Sequence, residues 1–211
     1  MRGVCLVVVM ALLLAGCTRN PGEPARDEQA ASAAQANEGI VTISGDDTIL
    51  ESLTWRPPAV EIPPDGIDEA LERAGEALEA GNLSTDGGSA VPLFMALSKQ
   101  APDNQQAQAG LQDALQAVIA RGDEALSHAG DDISALRRAH EMAAVARAVD
   151  GDDEAVVDYL ERIDRADTLW ELNRDGERAL AGGRYGEDGG GALAKFREAL
   201  ALQPGQPRAM Q

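Results

Sequence analysis

The chain has 211 residues and carries 36 Asp and Glu against 18 Lys and Arg, a formal net charge of -18. That length holds one domain with appendages, or at most two small ones, and so acidic a surface repels DNA, RNA and anionic lipid head groups. The six aromatic residues, Trp55, Phe94, Tyr159, Trp170, Tyr185 and Phe196, are scattered; the scatter argues against a base-stacking platform and leaves the rings to fill a core rich in Ala and Leu.

Arg2 followed by the apolar run VCLVVVMALLL and the small residues Ala15 and Gly16 reads as a processing signal over residues 1–16. The apolar run is shorter than the roughly 20 residues a spanning helix needs. An ordinary secretory signal and an uncleaved anchor are the alternatives. Leu14-Ala15-Gly16-Cys17 resembles the lipobox of bacterial lipoproteins. The resemblance implies cleavage behind Gly16 and lipid attachment at Cys17. It also implies a place on the cell membrane or outer membrane, facing the periplasm, with Thr18 in place of an Asp pointing to the outer membrane first. Cys5 then leaves with the leader, and the mature chain has no thiol for a disulfide or a metal.

Residues 17–64 read as a lipidated Cys followed by a flexible tether. Pro21, Pro24, Pro57, Pro58, Pro63 and Pro64 punctuate it, and no helical period is sustained. GIVTIS, from Gly39, alternates like a strand but has nothing to pair with. As a coil the segment would reach on the order of 40 Å from a membrane surface.

From residue 65 to 211 the apolar residues recur at helical spacing, which predicts an all-α body. Leu111, Leu115, Val118 or Ile119, and Ala125 or Leu126 form one stripe, and Val156, Leu160, Ile163, Ala166 and Trp170 form another. Gly and Asp clusters at 86 to 88, 130 to 132, 150 to 153 and 186 to 191 mark the turns.

Two stretches align without a gap, Ala80–Ala107 on Gly182–Ala209. Gly81 meets Gly183, Leu83 meets Tyr185, Asp86-Gly87-Gly88 meets Asp188-Gly189-Gly190, Phe94 meets Phe196 and Pro102 meets Pro204. A looser copy lies between, with Glu124-Ala125-Leu126 echoing Glu76-Ala77-Leu78 and Met142 at the Phe position. Repetition on this scale marks stacked helical hairpins, with the glycine loop as the turn inside each hairpin and Asp86 and Asp188 placed to cap the helix that follows. The last copy, with Gly176, Gly183, Tyr185, Ala192, Phe196, Ala199, Leu200, Leu202 and Pro204, resembles the tetratricopeptide repeat. The resemblance implies an α-solenoid in which small residues let helices approach and aromatics, Tyr185 included, fill the gap. The glycine insertion and Asp175 depart from that pattern, and copies spaced by 48 and 54 residues require long helices between hairpins. A solenoid also needs a polar cap over its final apolar face. The last copy stops at Gln211, which leads us to expect either a truncated sequence or a partner or second copy covering that face.

No constellation for catalysis emerges. His128 and His140 lack a Cys or His at metal-ligand spacing, no G-x-S-x-G is present, and Asp150-Gly151-Asp152-Asp153-Glu154 suits helix capping better than calcium. We therefore expect no enzyme, no catalytic or metal residue, no cofactor, no small-molecule substrate and no nucleic acid. The expected partners are an envelope protein bound by the helical repeats and the membrane bound through the lipid. One further resemblance competes. ALRRAHEMAAVAR, Ala135–Arg147, and LWELNRDGERAL, Leu169–Leu180, are similar to regions preceding a formylglycine-generating, sulfatase-modifying-type domain in some bacterial lipoproteins. That would make the chain a stalk or docking region of a larger lipoprotein enzyme, with no residue of the catalytic domain in it.

Overall fold

The computed structural model describes residues 54–210. Cys17, the leader, most of the expected tether and the GIVTIS segment lie outside them. The described chain is all-helical: α1 (Ile67–Glu79), α2 (Ala90–Gln100), α3 (Gln105–His128), α4 (Ile133–Asp150), α5 (Glu154–Ala181) and α6 (Ala192–Leu202), then a short 3-10 turn, Pro207–Met210. Each helix packs chiefly on its sequence neighbours, giving a row of antiparallel hairpins with α3 and α5 shared between successive ones.

The two long helices answer the irregular repeat spacing. At 24 and 28 residues they are about 36 and 42 Å long, enough to pack on one hairpin with their first half and another with their second. α5 shows how. Its buried residues run Val156, Tyr159, Ile163, Asp167, then jump by two to Leu169, Asn173, Gly176, Ala179. Each half keeps helical spacing, but a two-residue step is about 200° of helix, so the buried face swings round as the partner changes from α3 and α4 to α6.

Glycines in α3 and α5 set the helix spacing. A Cβ on Gly110 would lie 2.2 Å from Phe94 Cε1, one on Gly122 1.9 Å from Tyr159 Oη, and one on Gly176 2.6 Å from Phe196 Cε1. Each ring occupies the room a side chain would take. Tyr159, fully buried on α5, crosses Gly122 of α3 to donate its hydroxyl to the Ala139 carbonyl of α4 at 2.7 Å. Arg162, one turn on, lies over the Tyr159 ring at 5.5 Å and grips Asp123 with two hydrogen bonds of 2.9 and 3.0 Å.

Helix starts follow from local chemistry. Asn104, Asp132 and Asp153 accept from the backbone N–H of Ala107, Ser134 and Ala155 and so cap α3, α4 and α5. The acidic run at 150 to 154 is thus used for capping, as its position suggested. The Ser134 N–H holds the Asp132 carboxyl below the usual carboxylate range. Asp86 and Asp188 do not cap: the residues ahead of α2 and α6 are Ser89 and Gly191, and neither makes a side-chain cap bond. Asp86 instead folds into its own loop, accepting from the Gly88 N–H at 2.8 Å, because three intervening residues place it too far back to reach the helix start.

Residues 54–64, expected to belong to the tether, lie against the body. Trp55, Val60 and Ile62 pack on the core, and the Trp55 indole N–H donates to the Ser84 carbonyl at 3.3 Å. The prolines that suggested a flexible coil lie in a strap without regular secondary structure, where each fixes its own φ and biases the residue before it towards extended backbone.

Two measurements check this packing. Gly110→Ala and Gly122→Ala should each destabilise by about 1–3 kcal/mol through overpacking, whereas Gly75→Ala, with nothing within 4 Å of the new Cβ, should gain roughly 0.5–1 kcal/mol; urea unfolding of the three variants compares them. Burial, and next the Asp123 carboxylate, push the Tyr159 phenol above its ordinary value, against a lowering by Arg162. A raised folded-state value means the contribution is complete below the unfolded phenol's value of about 10 and is lost as pH rises beyond it. Wild type should therefore lose stability above about pH 10 more steeply than Tyr159→Phe, by up to roughly 1.4 kcal/mol per pH unit.

Candidate interaction surface

The first and last hairpins are built to one backbone plan. α1 and α5 both end in a Schellman motif, with Gly81 and Gly183 at φ 69° and 71°. The N–H of Asn82 bonds to the Ala77 carbonyl as that of Arg184 does to Ala179, both at 2.9 Å. The N–H of Ala90 then bonds to the Asn82 carbonyl at 2.9 Å, and that of Ala192 to Arg184 at 2.8 Å. These bonds gather three segments at the loop end of each hairpin. Directly after the tied residues come Leu78, Leu83 and Val91 in the first hairpin, and Leu180, Tyr185 and Leu193 in the last.

Equivalent positions meet opposite fates. Leu83 is 3% exposed and Val91 0%, whereas Tyr185 is 66% exposed, Leu193 41% and Leu180 48%. Tyr185 therefore does not fill a gap between helices, contrary to the repeat resemblance, although the turn at Gly183 matches the one at Gly81 that precedes buried Leu83. Part of the difference is the strap. A Cβ on Gly87 would meet the Ala59 carbonyl at 3.2 Å and Val60 Cγ2 at 3.7 Å, while one on Gly189, its counterpart, would meet nothing within 4 Å. The loops also differ inside. Buried Ser89 accepts from the Asp86 N–H at 3.0 Å and donates to Asn82 Oδ1 at 2.9 Å. Gly191 stands in its place, and the Gly186 carbonyl turns into that room, 2.0 Å from where a Gly191 Cβ would sit.

Charge changes in step. Residues 76–100 hold Glu76, Glu79 and Asp86 against Lys99, while residues 178–202 hold Arg178, Arg184, Lys195 and Arg197 against Glu187, Asp188 and Glu198. The last hairpin is thus slightly basic on a strongly acidic chain.

The two histidines lie apart. His128 is exposed in the last turn of α3, where a cation suits the helix dipole. It lines a cleft of about 310 Å³ between α3 and α4 with Arg121, Glu124, Arg138, Glu141 and Met142; charges of both signs at helical spacing select no ligand class. Arg121 is already engaged, donating to the Gly81 carbonyl at 2.9 Å. His140 is buried, its Nε2 2.9 Å from Asp167 Oδ1 across the α4–α5 contact. Asp167 had a sequence signal, since it stands four residues beyond Ile163 on an apolar stripe. Its partner, 27 residues back on another helix, had none. Among the described residues no group of three or more His, Cys, Asp or Glu could hold a metal ion, and no helix is long and apolar enough to cross a membrane.

The chain closes with a clasp missed in the sequence. Arg208 pairs with Glu177 through two hydrogen bonds of 2.9 Å, stacks on Trp170 at 4.3 Å and reaches the Gly130 carbonyl at 3.3 Å. Gln206, 1% exposed, accepts from the Arg208 N–H at 2.7 Å, and so begins the 3-10 turn where Asn104, its repeat counterpart, begins α3.

No family model, curated protein or solved structure matches this chain.

The buried pair offers a check on this geometry. His140→Leu leaves the Asp167 carboxylate buried without its partner and should cost about 3–5 kcal/mol, while the double change His140→Leu with Asp167→Leu should be far milder, near neutral. Chemical denaturation of the two variants gives the comparison.

Proposed function

We propose that the chain is a lipid-anchored, periplasm-facing helical-repeat protein of the cell envelope that works by holding another protein, as a scaffold or adaptor and not as an enzyme. The observation that carries it is the last hairpin: Leu180, Tyr185 and Leu193 stand exposed at positions whose counterparts are half-buried or buried in the first. A cluster of large apolar side chains left open to water is the mark of a protein interaction site. The tetratricopeptide-like order of small and aromatic residues supports the same role, since hairpin arrays offer extended surfaces for partners. The anchor rests on Leu14-Ala15-Gly16-Cys17. A tether of some tens of residues between Cys17 and the strap would give the body freedom to reach its partner.

A photoreactive benzophenone residue placed at Tyr185 tests this in intact envelopes. A single envelope protein should be captured there and not from the same residue at Glu141, and Cys17→Ala should release the protein from the membrane fraction. Absence of any product at position 185 in a folded, anchored protein would overturn the adaptor role, and unchanged membrane association of Cys17→Ala would overturn the anchor.

A further inference from the structure

The chain displays on its own first hairpin what a hairpin of this plan accepts. Residues 54–62 cross the loop between α1 and α2 without regular secondary structure, with Trp55, Val60 and Ile62 turned to the core and Ala59 and Val60 set over Gly87. An extended backbone suits this seat because Pro57 and Pro58 hold it straight before contact, so little conformational entropy is lost on docking. The loop of the last hairpin repeats the backbone plan, has Gly189 at the place of Gly87, and among the described residues has nothing laid over that glycine.

We infer that the loop end of the last hairpin, formed by Leu180, Tyr185, Gly189 and Leu193, receives an extended, proline-containing, acidic segment of a partner protein, laid as residues 54–62 are laid on the first. This rests on the adaptor reading above and names the chemistry of what is held.

Two features define the segment. Apolar side chains of the segment pack by Tyr185 and Leu193, as Trp55, Val60 and Ile62 of the strap pack on the core cluster that includes Leu83 and Val91. Charge bears on the choice too: Arg184, Lys195 and Arg197 replace Asn82, Leu93 and Met95 of the first hairpin. Arg197 pairs with Glu187 at 2.9 Å and Lys195 with Glu198 at 3.3 Å, which leaves this loop end near neutral on a chain of net charge -18, so an acidic segment is repelled less here than elsewhere on it. The seat is not a full copy. Gly186, the counterpart of Ser84, turns its carbonyl inward to Gly191, so no acceptor waits for an indole N–H, and the docked segment needs no Trp where the strap has Trp55. A second copy of this chain is the poorer occupant, since its strap would have to leave its own hairpin, where the connection to α1 keeps it at high effective concentration.

The test uses a fluorescein-labelled synthetic peptide of residues Thr54–Asp68, which is extended, proline-containing and net acidic, titrated by anisotropy into the detergent-solubilised full chain with its own strap in place. The expected result is saturable binding of one peptide per chain. It should weaken at least about tenfold with Tyr185→Ser and Leu193→Ser together, and weaken further with added salt. A peptide with Val60→Ser and Ile62→Ser should not bind. Because both changed side chains of the chain are exposed, circular dichroism of that variant should match wild type. Lack of saturable binding, or binding that the Tyr185 and Leu193 changes leave untouched, would overturn the inference; the latter would mean exchange with the strap on the first hairpin. Concentration-dependent oligomers in sedimentation that Trp55→Ala removes would name a second copy as the occupant and overturn it equally. Capture of an envelope protein at position 185 without peptide binding would defeat this segment chemistry alone and leave the adaptor reading standing.

Discussion

A ring set against a glycine holds this array together. Phe94 over Gly110, Tyr159 over Gly122 and Phe196 over Gly176 each bring an aromatic into the space of a missing Cβ, so the helices approach closely, with the Phe94 and Tyr159 rings buried and the Phe196 ring partly so. A chain with 22 glycines, 3% aromatic residues and no disulfide among its described residues has few other means of building a dense core from Ala and Leu. Close approach is costly to disturb, because interiors packed to crystal-like density cannot absorb an added methyl without shifting neighbours. Every later feature leans on it. Tyr159 reaches the Ala139 carbonyl only because Gly122 lets it pass, and its place on α5 in turn sets where Asp167 meets His140.

Sharing long helices between hairpins has a price in regularity and a gain in asymmetry. When α5 turns its buried face by about 200° midway, the last hairpin is attached through α5 and the short 3-10 turn, whereas the first is braced by α3 and by the strap. The same backbone plan therefore yields a sealed end and an open one. Charge follows this division, with the acidic residues of α1 and its loop at the sealed end and the basic replacements Arg184, Lys195 and Arg197 at the open one. The two hairpins therefore differ in both shape and sign, in a molecule of net charge -18 whose surface repels anions.

Periodicity and composition determined much of this protein without a structure. All-helical architecture follows from apolar spacing, the hairpin turns from the Gly and Asp clusters, the 102-residue repeat from direct alignment, and the capping use of Asp153 from its place before an apolar run; each depends on residues near one another in the chain, where local geometry translates sequence into shape. The strap was hidden because prolines read as coil whether or not something lies beneath them. The Asp188 and Asp86 caps failed for a local reason as well, since Ser89 and Gly191, three residues further on, stand ahead of the helices and leave each Asp too far back. Only tertiary structure decided which of two equivalent hairpins is covered. Tyr185 and Leu83 occupy one position in the repeat, yet one is exposed and the other buried, and what separates them is supplied by docking: α3, whose Arg121 reaches the Gly81 carbonyl, the Ser89 hydrogen bonds inside the loop, and the strap laid over Gly87. The His140–Asp167 pair and the Arg208 clasp belong with this, because a contact between distant helices depends on how they dock, and periodicity within either helix carries no record of that.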